Sequence, residues 1–401
     1  MNLVWMKQNQ MGWERGTETN NLHDAKEMTA MMNKNKARRR ERTKKSVTSP
    51  PKPIPEMISF ECDYNNGAHP DVLLHLVETN SEQTLTYGFD RFSDSARKKI
   101  AEACGVDAND VHLLTGGTQT NATVIDAMLR SYEGVVCPAT AHINVHEAGA
   151  IEASGHKVIG LPHKDGKLDA DTLDHYMRVF EHDESRDHIA QPGMVYISYP
   201  TEMGTLYSAD EIATIYATCQ RHGLQLFVDG ARLGYALAAD STIDLPFLAQ
   251  HTDAFYIGGT KVGTLCGEAV VFTHGNTPRC FFTIIKRHGA LLAKGRLTGV
   301  QFDALFTHGL YLRISRHAID MAMQLRKILV EAGLRLHVES PTNQQFVVLP
   351  NELMHRLEQQ VLFTHWEPFD DTHTVCRFVT SWATTYEELE ILREILREAT
   401  A

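Results

Sequence analysis

The stretch from Leu224 to Phe272 constrains the fold most. It opens LQLFVDGARLGYAL and, after a connector, closes on DAFYIGGTKVGTLCGEAVVF. Two apolar runs, Leu224 to Val228 and Ala254 to Ile257, each end in polar residues that a buried strand delivers to one edge of a sheet. The first delivers Asp229, then Gly230, Ala231 and Arg232. The second delivers Gly258, Gly259, Thr260 and Lys261, and Glu268 to Phe272 reads as a third short apolar run. A carboxylate and a lone amine at successive strand ends suit pyridoxal phosphate. The lysine forms a Schiff base with the aldehyde, and the aspartate keeps the pyridine nitrogen protonated so that the ring draws electrons. Taken alone, the same residues also suit an ordinary α/β enzyme with Asp229 as a strand-end cap and Lys261 on the surface.

At 401 residues the chain has room for a large core and two domains. Hydrophobic residues at 43% and charged residues at 22% are those of a soluble globular protein. No apolar stretch has the length of a membrane span, and the first residues lack the apolar centre of a secretory signal. The seven cysteines are scattered without a C-x-x-C pair, which favours reduced thiols over a disulfide framework or a zinc site. A cytoplasmic protein without a bound metal or a membrane partner is expected. Up to residue 56 there are twelve Lys/Arg and six Asp/Glu, so subtracting that +6 from the net −11 leaves −17 on the remainder. An acidic body of this kind argues against nucleic acid as a partner.

Residues 1–56 form a basic extension with the run KNKARRRERTKK and a proline-rich end, SPPKPIPE, and they read as a solvated disordered tail. From Ile58 short apolar strands alternate with amphipathic helices. Helices are predicted over Pro70 to Thr79, Asp94 to Cys104 (closed by Gly105), Ala122 to Arg130 and Ala209 to His222. Strands are predicted at Val111 to Leu114, Val135–Val136, Lys157 to Leu161 and Met194 to Ser198. This is an α/β pattern, with a mostly parallel sheet covered on both faces, in a large domain over 57–298. Beyond about Arg296 long helices and the strands Leu336 to Val338, Gln345 to Leu349 and Thr374 to Thr380 make a smaller α+β domain over 299–401.

Four further features bear on chemistry. TGGTQTN lies between a strand and a helix, where open backbone N–H groups, the Thr118 hydroxyl and the helix dipole bind phosphate. It lacks the Lys-Ser/Thr of a Walker loop and the spacing of a dinucleotide fingerprint. His142 sits in a strand-to-helix loop, where an imidazole can stack on a pyridine ring. Arg232 brings a cation near the cofactor or a substrate carboxylate. Arg377 interrupts the apolar strand TVCRFVTSW, which is costly unless it is paired with an internal carboxylate or a substrate carboxylate.

Taken together, TGGTQTN, AHINVHEAG, YPTEMGTLYS, FVDGARLG, GGTKVGTLCGEAV and CRFVTSW resemble the threonine aldolase/β-eliminating lyase family. The similarity runs over 58–400, in family order. It implies the type I fold of pyridoxal-phosphate enzymes, the aspartate aminotransferase-like architecture. It also implies that Lys261 carries the cofactor, Asp229 pairs with its ring nitrogen and Arg232 lies beside it. Gly117 and Thr118 would hold the phosphate, His142 would stack on the ring, and Arg377 would grip the carboxylate of a small amino-acid substrate. Family members share active sites across a homodimer or homotetramer. Tyr87 (in TYGFD) and Arg296 (in LAKGRLTG) are the candidates for that contribution.

The chain departs from the family twice. A second histidine, in an Asn-Thr-His-Asn-Gly-like stretch, is replaced by Glu202 in Pro200-Thr201-Glu202-Met203-Gly204. A Ser-Asp-Thr stretch is replaced by Cys62-Asp63-Tyr64, so Cys62 stands where a second carboxylate contact is expected. The activity implied is retro-aldol cleavage of L-threonine, L-allo-threonine or a related β-hydroxy-α-amino acid to glycine and an aldehyde, with His142 or Glu202 taking the hydroxyl proton. β-Elimination on another amino acid and a non-catalytic cofactor-binding relative are the alternatives.

Overall fold

Short apolar runs build the central sheet. In the computed structural model, which describes residues 57–400, strands form at β1 (Ile58–Ser59), β2 (Val111–Leu114), β3 (Glu133–Pro138) and β4 (Val158–Leu161). They continue with β5 (Gln191–Ser198), β6 (Gln225–Asp229), β7 (Ala254–Gly258) and β8 (Glu268–Phe272). The basic tail read over 1–56 lies outside the described residues. Seven strands make one sheet in the order β2-β8-β7-β6-β5-β3-β4. From β4 to β7 the neighbours are parallel, and β8 runs antiparallel to both β7 and β2. Side chains alternate faces along each strand. Leu226, Val228, Phe255 and Ile257 enter one core, while Tyr196, Phe227, Tyr256 and Val270 enter the other. Both faces are covered, which is why the strands read as continuous apolar runs.

Helices start where caps allow. Pro70–Thr79 begins at its proline, and Arg91–Cys104 begins after Asp90, whose carboxylate accepts from the N–H groups of Phe92 and Ser93. The latter ends at Gly105 with φ of 72°, a left-handed cap that suits glycine. The helix expected from Ala122 begins at Gly117, inside TGGTQTN. Gly116 caps it without a side chain, so its first N–H groups stay open toward the sheet edge.

The C-terminal part has its own sheet. Strands β9 (Arg335–Leu336), β10 (Gln344–Pro350), β12 (Thr364–Pro368) and β13 (His373–Val379) lie in the order β12-β13-β10-β9, all antiparallel. The short β11 (Val361–Leu362) pairs in parallel with β1. Ile58 and Phe60 pack there with Leu325 and Leu329 from the helix Leu310–Glu331 and with Leu392 from Tyr386–Thr400. The architecture is therefore α/β, a mostly parallel sheet with a small C-terminal domain. The division expected between 298 and 299 falls inside the helix Arg296–Leu305, where Asp303 bonds His75 and Lys99 of the N-terminal helices. Among the described residues no helix is long and apolar enough to cross a membrane.

Candidate active site

Parallel strands joined by crossovers bring their carboxyl ends to one edge, where a crevice opens. The residues following β2, β3, β5, β6 and β7 meet there, together with the first residue of the antiparallel β8. They line a cavity of about 290 Å³, with Gly117, Thr118, His142, Glu147, Ser198, Glu202, Asp229, Arg232, Thr260, Lys261 and Glu268 on its walls. Seven of the residues singled out in the sequence thus share one cavity.

Asp229 closes β6 on the same face as Phe227, so its carboxylate meets the side chains of the flanking strands. It accepts from Tyr256 at 2.6 Å, Tyr196 at 2.5 Å, Asn121 at 3.0 Å and the Ala231 N–H at 2.9 Å. Burial alone would push this carboxyl up. The two tyrosine hydroxyls, the His142 side chain and the Ala231 N–H outweigh burial and hold it below the usual carboxylate range. Lys261 stands one loop beyond β7, with its Nζ 5.8 Å from the centre of the Tyr64 ring. Its amine makes no hydrogen bond or ion pair among the described residues. Burial first, and then the Arg232 cation, bring it down to about 8 against the partial compensation of Asp63, Asp229 and Glu268. Such an amine gives up its proton far more readily than an ordinary lysine and so reaches its nucleophilic form near neutrality more often.

Glu268 opens β8 with its side chain 97% out of solvent. It accepts from Thr260 Oγ1 at 2.7 Å and the Gly259 N–H at 3.0 Å, bracing the turn that presents Lys261. Burial raises it to about 7. Glu202 uses Oε1 to accept from Ser198 at 2.6 Å and the His142 N–H at 2.9 Å. Burial raises its carboxyl as well, opposed by those hydrogen bonds. His142 places Nδ1 2.8 Å from Glu147, which also accepts from Asn121 at 2.8 Å. One amide, Asn121, therefore joins the aspartate to the histidine's carboxylate.

Arg232 does not reach into the cavity unpaired. It grips Asp63 with Nε at 2.7 Å and Nη2 at 3.0 Å, and Asn343 donates to the same carboxylate at 2.9 Å. Burial would raise Asp63, but the Arg232 and Lys261 cations hold it low. Arg377 is the contrasting case. Among the described residues its guanidinium bonds only the neutral Gln344 at 3.1 Å and Thr364 at 3.2 Å, and its buried Nε has no partner there. Burial, then repulsion from Arg232, bring it down to about 10. A buried cation with neutral neighbours lacks an anion. Arg377 does not line the cavity wall. It lies beyond that wall, with its guanidinium 5.3 Å from the centre of the Trp366 ring.

Cys62 is half-buried near Arg377, and burial raises its thiol. Tyr87 and Arg296 lie apart from this chain's cavity and close to one another. Tyr87 N–H donates to Ala293, and Arg296 donates to the carbonyls of Glu82 at 2.6 Å and Thr79 at 2.7 Å. Sequence reasoning did not single out Asn121, Glu147, Tyr196, Tyr256 or Glu268. Three of them stood inside quoted motifs, and a glutamate opening an apolar run is itself a signal, since a buried carboxyl needs partners. A tyrosine within a buried strand carries the same message through its hydroxyl. The segment Ser340 to Gln344 ties the parts together. Ser340 and Thr342 donate to the Gly204 carbonyl in the Glu202 loop, Asn343 reaches Asp63, and Gln344 accepts from Arg377.

An open α/β sheet with this small domain, and with lysine and aspartate at its strand ends, is the type I fold of pyridoxal-phosphate enzymes. The family model for β-eliminating lyases matches residues 77–348. A low specificity L-threonine aldolase of Pseudomonas aeruginosa is 28% identical over 345 residues, covering 84% of this chain and 96% of the relative. The structure of a Leishmania major threonine aldolase superposes with a TM-score of 0.82 at 38% identity, covering 86% of this chain and 100% of that one. A structure of SPT with PLP has a TM-score of 0.63 at 15% identity over 86% of this chain and 87% of that one, and it shares the fold alone. The chain belongs to the β-eliminating lyase family and is a lyase.

Proposed function

We propose that the protein is a pyridoxal-phosphate-dependent aldehyde-lyase that cleaves L-threonine, L-allo-threonine or a related β-hydroxy-α-amino acid to glycine and an aldehyde. The observation that carries this reading is one cavity that holds both a lysine amine with no hydrogen bond among the described residues and a buried aspartate that accepts four. The aldolase names of the relatives support the choice of reaction.

The donor set suits the cofactor. The uncapped helix start at Gly117 and Thr118 offers N–H groups and a hydroxyl to a phosphate. Asp229 offers a negative charge to a protonated ring nitrogen, Lys261 offers an amine to an aldehyde, and His142, fixed by Glu147, offers a flat face. Bound there, the cofactor supplies an electron sink for the bond broken at the α-carbon. The protein's share is to hold and to exclude. Arg377 takes the substrate carboxylate as its missing anion, and Asp63 keeps Arg232 turned aside. Glu202 fixes the start of the His142 segment through its N–H. With the carboxylate held, the substrate presents its Cα–Cβ bond in one orientation, and orientation lowers the barrier.

We further assign the chain to a homodimer or homotetramer with shared sites. Leu85, Tyr87 and Phe89 are exposed in one short segment, and exposed Phe282 packs on Phe89, an apolar face of the kind that subunits cover.

The test is a visible spectrum of purified protein supplied with pyridoxal phosphate, with acetaldehyde assayed after L-threonine is added. A lysine-bound cofactor band that disappears in Lys261→Ala, together with acetaldehyde release, is the expected result. A band with pyruvate and ammonia instead of aldehyde would replace cleavage by β-elimination. No band at excess cofactor would end the reading.

A further inference from the structure

Aldol cleavage, on which this inference rests, requires that the β-hydroxyl lose its proton as the Cα–Cβ bond breaks. Glu202 and His142 each spend one side-chain atom on holding the protein's own structure. Glu202 Oε1 already accepts two hydrogen bonds, and the residue is buried. His142 has Nδ1 committed to Glu147, and a ring stacked on the cofactor directs its nitrogens edgewise.

A third group, exposed, stands beside His142. His146 follows His142 by one helical turn, with its N–H bonded to the His142 carbonyl and its ring centre 5.6 Å away at a tilt of 52°. On its other side lies Trp366 at 6.2 Å, and over the Trp366 ring sits the Arg377 guanidinium at 5.3 Å. His146 therefore lies between His142, which lines the cavity, and Trp366, the ring on which the Arg377 guanidinium rests, so it stands on the side from which Arg377 would hold a substrate carboxylate. Its ring is exposed and makes no hydrogen bond among the described residues.

We propose that His146 accepts the proton of the substrate's β-hydroxyl, filling from the β3 loop the role that the β5 loop, with Glu202, leaves open. In that step the O–H bond pair becomes the π bond of the aldehyde. The Cα–Cβ pair stays on the α-carbon, and the proton moves to the free imidazole nitrogen. The charged and titratable groups around His146 are His142 and Glu147 on its own segment and Arg377 from β13. Partial burial, then His142 and Arg377, hold the imidazole below its ordinary value. It is consequently unprotonated near neutrality and able to accept.

His146→Phe and His146→Gln, both close in size to the native side chain, test this. Cleavage of L-threonine should fall by about 100-fold or more in both. The cofactor band, glycine binding and exchange of the glycine α-proton in heavy water should persist, because none of them involves a β-hydroxyl. The acid limb of wild-type kcat/KM, expected below the ordinary imidazole value, should disappear in both variants. Undiminished cleavage in either variant would overturn the role. Glycine exchange falling in parallel would also overturn it, making His146 a holder of the cofactor instead. A wild type that exchanges glycine yet releases aldehyde from no β-hydroxy amino acid would fail the reaction itself, and the role with it.

Discussion

Asp229 and Glu268 are two buried carboxyls on the walls of one cavity, and their donors drive them apart. Four hydrogen bonds converge on Asp229 and only two on Glu268, so burial loses in the first case and wins in the second. The sign for Glu268 follows from its raised folded value. Its contribution to stability is fully present below the ordinary value of 4.5 and is lost as pH rises through about 7. Glu268→Gln, which cannot ionise, should therefore gain stability over the wild type as pH climbs, by on the order of 3 kcal/mol at pH 8. Thermal melts of cofactor-free protein from pH 4.5 to 8 read this directly, and a flat difference would contradict it. Asp229 and Lys261 were legible in the sequence because each follows an apolar run that had to be a buried strand. Glu147 and Asn121 were not, since their partners lie 5 and 108 residues away and only the fold brings them together. Arg232 shows the same limit in reverse. Its position near the site was readable, but its engagement with Asp63, 169 residues earlier, was not.

At the scale of elements, β6 and β7 bring their ends closer than side chains permit. The Gly258 N–H donates to the Gly230 carbonyl at 2.9 Å. A methyl group on Gly230 would sit 1.9 Å from the Tyr256 carbonyl oxygen, and one on Gly258 would sit 2.2 Å from that of Ala231. Gly230→Ala should therefore cost about 3 kcal/mol or more and spread the edge that carries Asp229. A denaturant midpoint equal to that of the wild type would contradict that close approach. Element boundaries were readable where a cap or breaker spoke, as at Pro70 and Gly105. The helix at Gly117 starts five residues before the predicted Ala122, because glycines and threonines have poor helix propensity yet serve well where phosphate is to approach the backbone. Strand β12, THWEP, was missed because it lies at a sheet edge with mostly exposed, polar side chains and ends in proline.

At the scale of the whole molecule, shared sites imply that subunits can rescue one another. Tyr87→Ala and Lys261→Ala would each be inactive alone. If Tyr87 serves a neighbour's cavity, dissociating and reassociating an equal mixture should restore about a quarter of wild-type activity, since half of the random dimers contain one intact site of two. An active Tyr87→Ala, or no recovery with mixed dimers verified by mass spectrometry, would show that Tyr87 does not serve a neighbour's cavity. A mostly parallel sheet and a smaller C-terminal domain were foreseeable from the alternation of runs, whereas the order of the strands and the return of Ile58–Ser59 to the C-terminal layer were not, since two residues carry no periodicity. That return has a consequence for synthesis. Ile58 and Phe60 emerge from the ribosome early, and Glu61 waits for Thr364, 303 residues later, before its carbonyl is paired. The large sheet can close while the apolar residues at its front still have nothing to cover them. A translating chain of this protein carries sticky residues from Ile58 onward, and a holding chaperone would act there until the last strands arrive.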